Sequence, residues 1–146
     1  VGVGRGVVAT SGERAGAKTP RSIPSLVREQ PLVEFQVGQA EATLRSGRAF
    51  LTEAVQEMWT ALTSTGITLD HRATLRLATT HGIRLAVQVI DSVYNAAGST
   101  ATYESHLLQR HFQDIHVISQ HMQSRMAVYE LVGRYWLGLP IDEQRL

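Results

Sequence analysis

The placement of proline constrains this chain more than any other feature. Pro20, Pro24, Pro31 and Pro140 are its only prolines, and nothing between the last two interrupts the backbone in this way. Proline removes a backbone donor and clashes with the preceding turn, so a long stretch without it favours long helices. Apolar residues within the stretch keep the helical period. Val33, Val37, Ala40, Leu44, Gly47, Leu51, Val55, Met58 and Leu62 recur at steps of three and four, the pattern of a helix with one apolar face. Pro31 stands where a first helical turn tolerates it. Gly47 lies on the stripe, which predicts close approach of another backbone there, and Gly66 ends the run.

Asp70 has the chemistry of an N-cap for a second helix. Leu75, Ala78, Gly82, Leu85, Ala86, Val89, Val93 and Ala97 form its stripe, with Gly98 at the position of a helix-ending glycine. A polar loop over 99–105 leads to a third helix expected over about 106–122. A fourth, over about 126–137, ends at Gly138 ahead of Pro140. Upstream, residues 3–16 are small and glycine-rich, a weak helical pattern, and 17–30 reads as a connection. No strand-like alternation and no internal repeat is present. The reading is all-α, an antiparallel up-and-down helical bundle forming a single domain over 1–146.

Composition bounds the function. At 146 residues and 43% apolar content the chain can close one core. A formal net charge of +1 provides no basic field for nucleic acid. The absence of cysteine excludes a disulfide framework, a thiolate zinc site and a cysteine nucleophile, and is compatible with a cytoplasmic address. No segment has the run of apolar residues needed for a membrane span. The opening Val1-Gly2-Val3-Gly4-Arg5-Gly6 lacks the charged and apolar regions of a signal peptide and has no initiator methionine. The expectation is a chain that begins partway through a longer protein or has been processed. Leu32, Val33, Phe35, Trp59, Tyr94, Tyr129, Tyr135 and Trp136 supply ample apolar surface, either to fill the core or to meet other subunits or domains.

Chemistry concentrates between Leu107 and His121. On a helix, Arg110, Asp114, Val117 and His121 follow at steps of four, three and four and share one face, beside a mostly apolar face of Leu108, Phe112, Ile115, Ser119 and Met122. Arg110 and Asp114 are spaced for an ion pair, which on a solvated surface contributes only about 0.3–0.5 kcal/mol. His121 can exchange a proton near neutral pH, or it can be an ordinary packing histidine. His106, His111, His116 and His121 do not form a metal site: each five-residue step turns about 140° on a helix, so the imidazoles fan around the axis. Gly2, Gly4 and Gly6 precede no strand-to-helix signature and are not a phosphate loop, and no nucleophile elbow occurs.

The chain resembles the acyl-CoA dehydrogenase superfamily, specifically its type 2 C-terminal domain. The resemblance is carried by Gly98-Ser99, Leu108-Gln109-Arg110, Asp114, Ser119-Gln120-His121, Tyr129-Glu130-Leu131-Val132-Gly133-Arg134 and Leu137-Gly138. Upstream, Ala17-Lys18-Thr19-Pro20 and the helix from Leu44 to Trp59 extend it over nearly the whole chain. The true dehydrogenases of the superfamily often carry a catalytic glutamate just after the Arg-Asp helix, where this chain has Gln120-His121-Met122-Gln123. A histidine at this place is similar to the flavin-dependent hydroxylases that take reduced flavin from a separate reductase and use it with oxygen.

The resemblance therefore implies a flavin-dependent monooxygenase of aromatic or heteroatom-containing substrates, using reduced FMN or FAD and assembled as a homotetramer. His121 would be the catalytic proton donor or acceptor, Arg110 and Asp114 would shape the site, and Gly98 and Ser99 would lie near the cofactor. Gln113 departs from the family, which often has arginine just before the aspartate. An FAD-dependent acyl-CoA dehydrogenase and a non-catalytic helical oligomerisation module are the alternatives. The family's flavin site also draws on an N-terminal helical domain and a middle β-domain, neither of which this chain contains.

Overall fold

In the computed structural model, residues 31–97 and 107–146 are described. They form α1 (Pro31–Thr63), α2 (Leu69–Ala97), α3 (Leu107–Ser119) and α4 (Ala127–Trp136), with short 3-10 turns at Met122–Ser124 and Glu143–Arg145. No strand occurs among the described residues, and no described helix is long and apolar enough to cross a membrane. The expected segments over 3–16, 17–30 and 99–105, together with Gly98 and Ser99, lie outside the described residues.

α1 and α2 make an antiparallel hairpin. Gly66, at φ +86°, turns the chain in the left-handed region, and its amide donates to the Ala61 carbonyl at 2.7 Å. The hydroxyls of Thr63 and Ser64 donate to carbonyls one turn back, which satisfies acceptors the helix end leaves open. α2 starts at Leu69, with its cap two residues earlier than Asp70. Thr68 and His71 cap each other reciprocally: the Thr68 amide donates to His71 Nδ1 at 3.1 Å, and the His71 amide reaches Thr68 Oγ1 at 3.4 Å. This is a capping box with histidine in place of the usual glutamate. The Asp70 carboxylate instead accepts from Trp136 Nε1 at 3.3 Å.

The buried seam of α1 comprises Ala40, Leu44, Gly47, Ala54 and Ala61. It departs from the expected stripe, because Val55 and Leu62 are exposed. The small residues repeat every seven positions, and an ideal helix falls about 20° short of two turns in that interval. The buried face therefore drifts around the helix, shedding Val55 and Leu62 and gathering Ala54 and Ala61. Gly47 does meet another backbone: a Cβ there would lie 3.6 Å from Gly82 Cα and 3.0 Å from Leu85 Cδ1.

α2 is the central element. Toward its C-terminal end, Ala86, Val89, Ile90 and Val93 pack with Ala40 and Leu44 of α1 and Leu108 and Ile115 of α3. Toward its N-terminal end, Ala73 packs with Val128, Leu131 and Val132 of α4 and with the chain end, Leu146. Ile90 is fully buried, a burial that stabilises by about 1.5–3 kcal/mol. α4 ends as the sequence indicates: Gly138 has φ +68°, its amide donates to Tyr135 and the Leu139 amide to Arg134, the paired bonds of a glycine-terminated helix. The tail then folds back, and Arg72 holds the Glu143 carbonyl at 3.1 Å.

Candidate functional site

α3 stops at Ser119, two residues short of His121. Its last turn tightens, with the Gln120 amide donating to Val117 and the His121 amide to Ile118, both at 3.1 Å. Buried Ser119 bonds back to the His116 carbonyl at 2.7 Å, a local competitor for helix continuation. The polar face of α3 consequently holds Arg110, Asp114 and Val117, all exposed, and His121 stands beyond its end. No ion pair joins Arg110 to Asp114 among the described residues.

His121 instead begins the 3-10 turn Met122–Ser124. Its backbone is extended, at φ −61° and ψ 147°, and its Nδ1 accepts from the Gln123 amide at 3.3 Å. A nitrogen that accepts an N–H bond carries no proton, so the neutral imidazole keeps its proton on Nε2. The side chain is exposed and is flanked in the chain by the exposed apolar residues Val117, Ile118 and Met122.

The turn rests on a polar band in the middle of α2, between the two apolar clusters. Arg76, Thr80 and Arg84 recur every four residues and so line one face. Thr80, with 0% exposure, donates its hydroxyl to the Gln123 carbonyl at 2.6 Å. Arg84 Nε donates to the Ser124 carbonyl at 2.9 Å, and Arg76 donates to Gln123 Oε1 at 3.1 Å. Ser124, also 0% exposed, shares its hydroxyl between the Ile118 and His121 carbonyls at 2.9 and 2.8 Å. Neither Arg76 nor Arg84 has a carboxylate partner among the described residues, and Arg76 Nε is buried without an acceptor.

His81 extends the band toward α4. Its Nδ1 lies 3.0 Å from the Tyr129 hydroxyl, and the rings of Phe50 and Tyr129 meet it edge-on. Burial pushes the Tyr129 phenol above its ordinary 10.0, an effect that the Arg84 charge partly offsets. A second polar contact ties α2 to α3, where His116 Nε2 lies 2.9 Å from Asp91 Oδ1. Phe112 stacks between His116 and Tyr94, and the Tyr94 hydroxyl donates to Gln109 Oε1 at 2.6 Å.

A group such as an anionic reduced flavin requires hydrogen-bond donors, positive charge and apolar surface. The turn offers the exposed Nε2–H of His121, two guanidiniums behind it and apolar side chains beside it. This set suits one side of such a group. None of the Arg76, Thr80, Arg84 and Tyr129 contacts is apparent from local spacing, since they join residues forty or more positions apart. The available signal was the four-residue polar step of Arg76, Thr80 and Arg84 in α2.

Comparison with known proteins agrees with this architecture. The family described as "Acyl-CoA dehydrogenase, C-terminal domain" matches residues 1–126. Indole-3-acetate monooxygenase of Pseudomonas putida is 33% identical over 129 residues, which cover 88% of this chain and 33% of that protein. A pigment production hydroxylase of Rhodococcus erythropolis is 31% identical over 96 residues, covering 65% of this chain and 24% of its own length. The crystal structure of 3-HSA hydroxylase from Rhodococcus sp. RHA1 superposes with a TM-score of 0.86 at 21% identity, over 99% of this chain and 37% of that one. The chain thus spans about a third of the length of the first curated relative.

Proposed function

This chain belongs to the acyl-CoA dehydrogenase C-terminal domain family, and from that premise we propose that it is the C-terminal helical domain of a larger flavin-dependent monooxygenase. The enzyme would hydroxylate an aromatic or heteroatom-containing small molecule, with reduced FMN or FAD delivered by a separate flavin reductase. A cytoplasmic homotetramer is the assembly that accords with the family resemblance. The relatives named as a monooxygenase and a hydroxylase support this reading.

The observation that carries it is the chemistry of the turn after α3. Residues 119–126 contain no carboxylate, so the turn has no group able to act as the glutamate base of a dehydrogenase. It presents an imidazole instead, on a backbone held by buried hydrogen bonds. Bound reduced flavin supplies the electrons and the reaction with oxygen. As the neutral ring, His121 would hold a reacting oxygen through its Nε2–H; with Nδ1 also protonated it would pass the Nε2 proton to that oxygen and return to the neutral ring, whose free nitrogen can take a proton back. Arg76 and Arg84 place positive charge behind the turn, which favours negative charge developing in front of it. In this reading Arg110 and Asp114, exposed on α3, shape the approach, and the family resemblance would assign Gly98 and Ser99 to the cofactor.

Replacing His121 with Asn in the full-length protein tests this. General acid–base groups typically contribute 10²–10⁴-fold, so product formed per reduced flavin is expected to fall at least about tenfold while released peroxide rises. Unchanged coupling removes His121 from the mechanism. Bleaching of bound FAD by an acyl-CoA would instead identify a dehydrogenase.

A further inference from the structure

We infer that Thr80 and Arg84 of α2 are positioning residues that hold the His121 turn in place; their role in catalysis rests on the flavin reading of His121. The turn joins α3 to α4, yet its backbone carbonyls are fixed by neither. The Gln123 carbonyl is taken by Thr80 at 2.6 Å and the Ser124 carbonyl by Arg84 at 2.9 Å. Thr80 and Ser124 are fully buried, so a lost partner leaves a buried acceptor without water to replace it. The turn then closes on His121 itself. The Ser124 amide and hydroxyl both donate to the His121 carbonyl, at 2.9 and 2.8 Å, and the Gln123 amide donates to its ring.

The imidazole is thus held at both its backbone and Nδ1; its amide ties back to Ile118 of α3, while the Gln123 and Ser124 carbonyls that follow it are fastened to α2. That stretch of α2 is braced in turn. Gly82, between Thr80 and Arg84, faces the backbone of α1 closely at Gly47, whose carbonyl would lie 4.0 Å from a Cβ on Gly82. The position of the His121 proton is set by the register of α2 against α1, through a latch that local sequence around His121 does not reveal. Misplacing a reacting group by about 1 Å can cost on the order of a hundredfold in rate.

The test compares Thr80→Val, which keeps the shape and loses the hydroxyl, with Thr80→Ser, which keeps the hydroxyl, and Arg84→Met with Arg84→Lys. Each is made in the full-length protein and followed by hydrogen–deuterium exchange of the peptide spanning residues 120–126. Thr80→Val and Arg84→Met are expected to speed exchange of the Gln123 and Ser124 amides about tenfold or more, with α1 unchanged, and Thr80→Ser and Arg84→Lys to restore most of the protection. The second readout is the pH profile of peroxide release from reduced FMN and oxygen, which should change in Thr80→Val and revert in Thr80→Ser. Unaltered exchange in both Thr80→Val and Arg84→Met overturns the latch. Faster exchange in those variants, with a pH profile that neither they nor His121→Asn alter, supports the latch and overturns only the flavin role of His121.

Discussion

Tyr129 shows how the polar band inside this bundle sets the behaviour of a single group. Its phenol is partly buried and lies against His81, and burial raises its pKa against the opposing pull of Arg84. A tyrosine that holds its proton more tightly when folded favours the folded state fully below the ordinary value of 10.0. That advantage is lost as pH rises through the higher folded value. Tyr129→Phe removes the titration and also the contact with His81, which a typical hydrogen bond places at about 0.5–1.5 kcal/mol. Thermal midpoints measured across pH should find the variant less stable at neutral pH. The gap should narrow above pH 10, because only the parent continues to lose stability through this phenol. A gap that stays constant through the alkaline range would mean that burial does not govern this group. His81 was not legible as a site residue for the same reason as Tyr129, since the contact that gives each its character comes from another helix.

At the scale of elements, periodicity revealed the helices, while the details of their ends and seams depended on features with weaker local signals. Gly66 and Gly138 mark their turns because a positive φ suits glycine best. α3 has no such stop: neither glycine nor proline follows Ser119, so the helical count runs on through His121 and places it on a face that it leaves. The cap at Thr68 was obscured by a histidine standing where a glutamate usually marks the motif. The small-residue seam of α1 is a more direct expression of sequence. Ala40, Gly47, Ala54 and Ala61 allow α2 to pack closely, and at Gly47 a Cβ would already touch Leu85 and lie near the Gly82 backbone. Gly47→Ala gains about 0.8–1 kcal/mol of helix propensity, and its new methyl meets the end of the Leu85 side chain, which can rotate away. Its stability should fall within about 1 kcal/mol of the parent. Gly47→Leu has no such outlet against the Gly82 backbone and should cost about 1–3 kcal/mol or more. Denaturant midpoints decide between these, and equal losses for the two variants would show that Leu85 cannot yield.

The whole molecule is arranged around α2, with an apolar cluster toward each end and the polar band between them. This layout leaves substantial apolar surface uncovered on α1, including Phe35, Trp59 and Leu62, each more than half exposed. Isolated exposed apolar residues are ordinary, but large ones along one helix mark a surface suited to further protein. That pattern fits a chain spanning about a third of its relative's length. On the proposed flavin reading the His121 turn follows the same logic: it would offer one side of a site, with its imidazole open to solvent. Bound cofactors and drug-sized ligands typically have some 70–90% of their surface enclosed, and a single exposed turn cannot enclose a flavin to that degree. The 146-residue chain by itself is therefore expected to bind FMN weakly or not at all, giving no saturable quenching of flavin fluorescence at micromolar concentrations. The full-length protein should quench it. A tight complex with the 146-residue chain alone would show that the helical bundle carries most of the flavin site, and would move the cofactor contacts from the remaining domains onto this one.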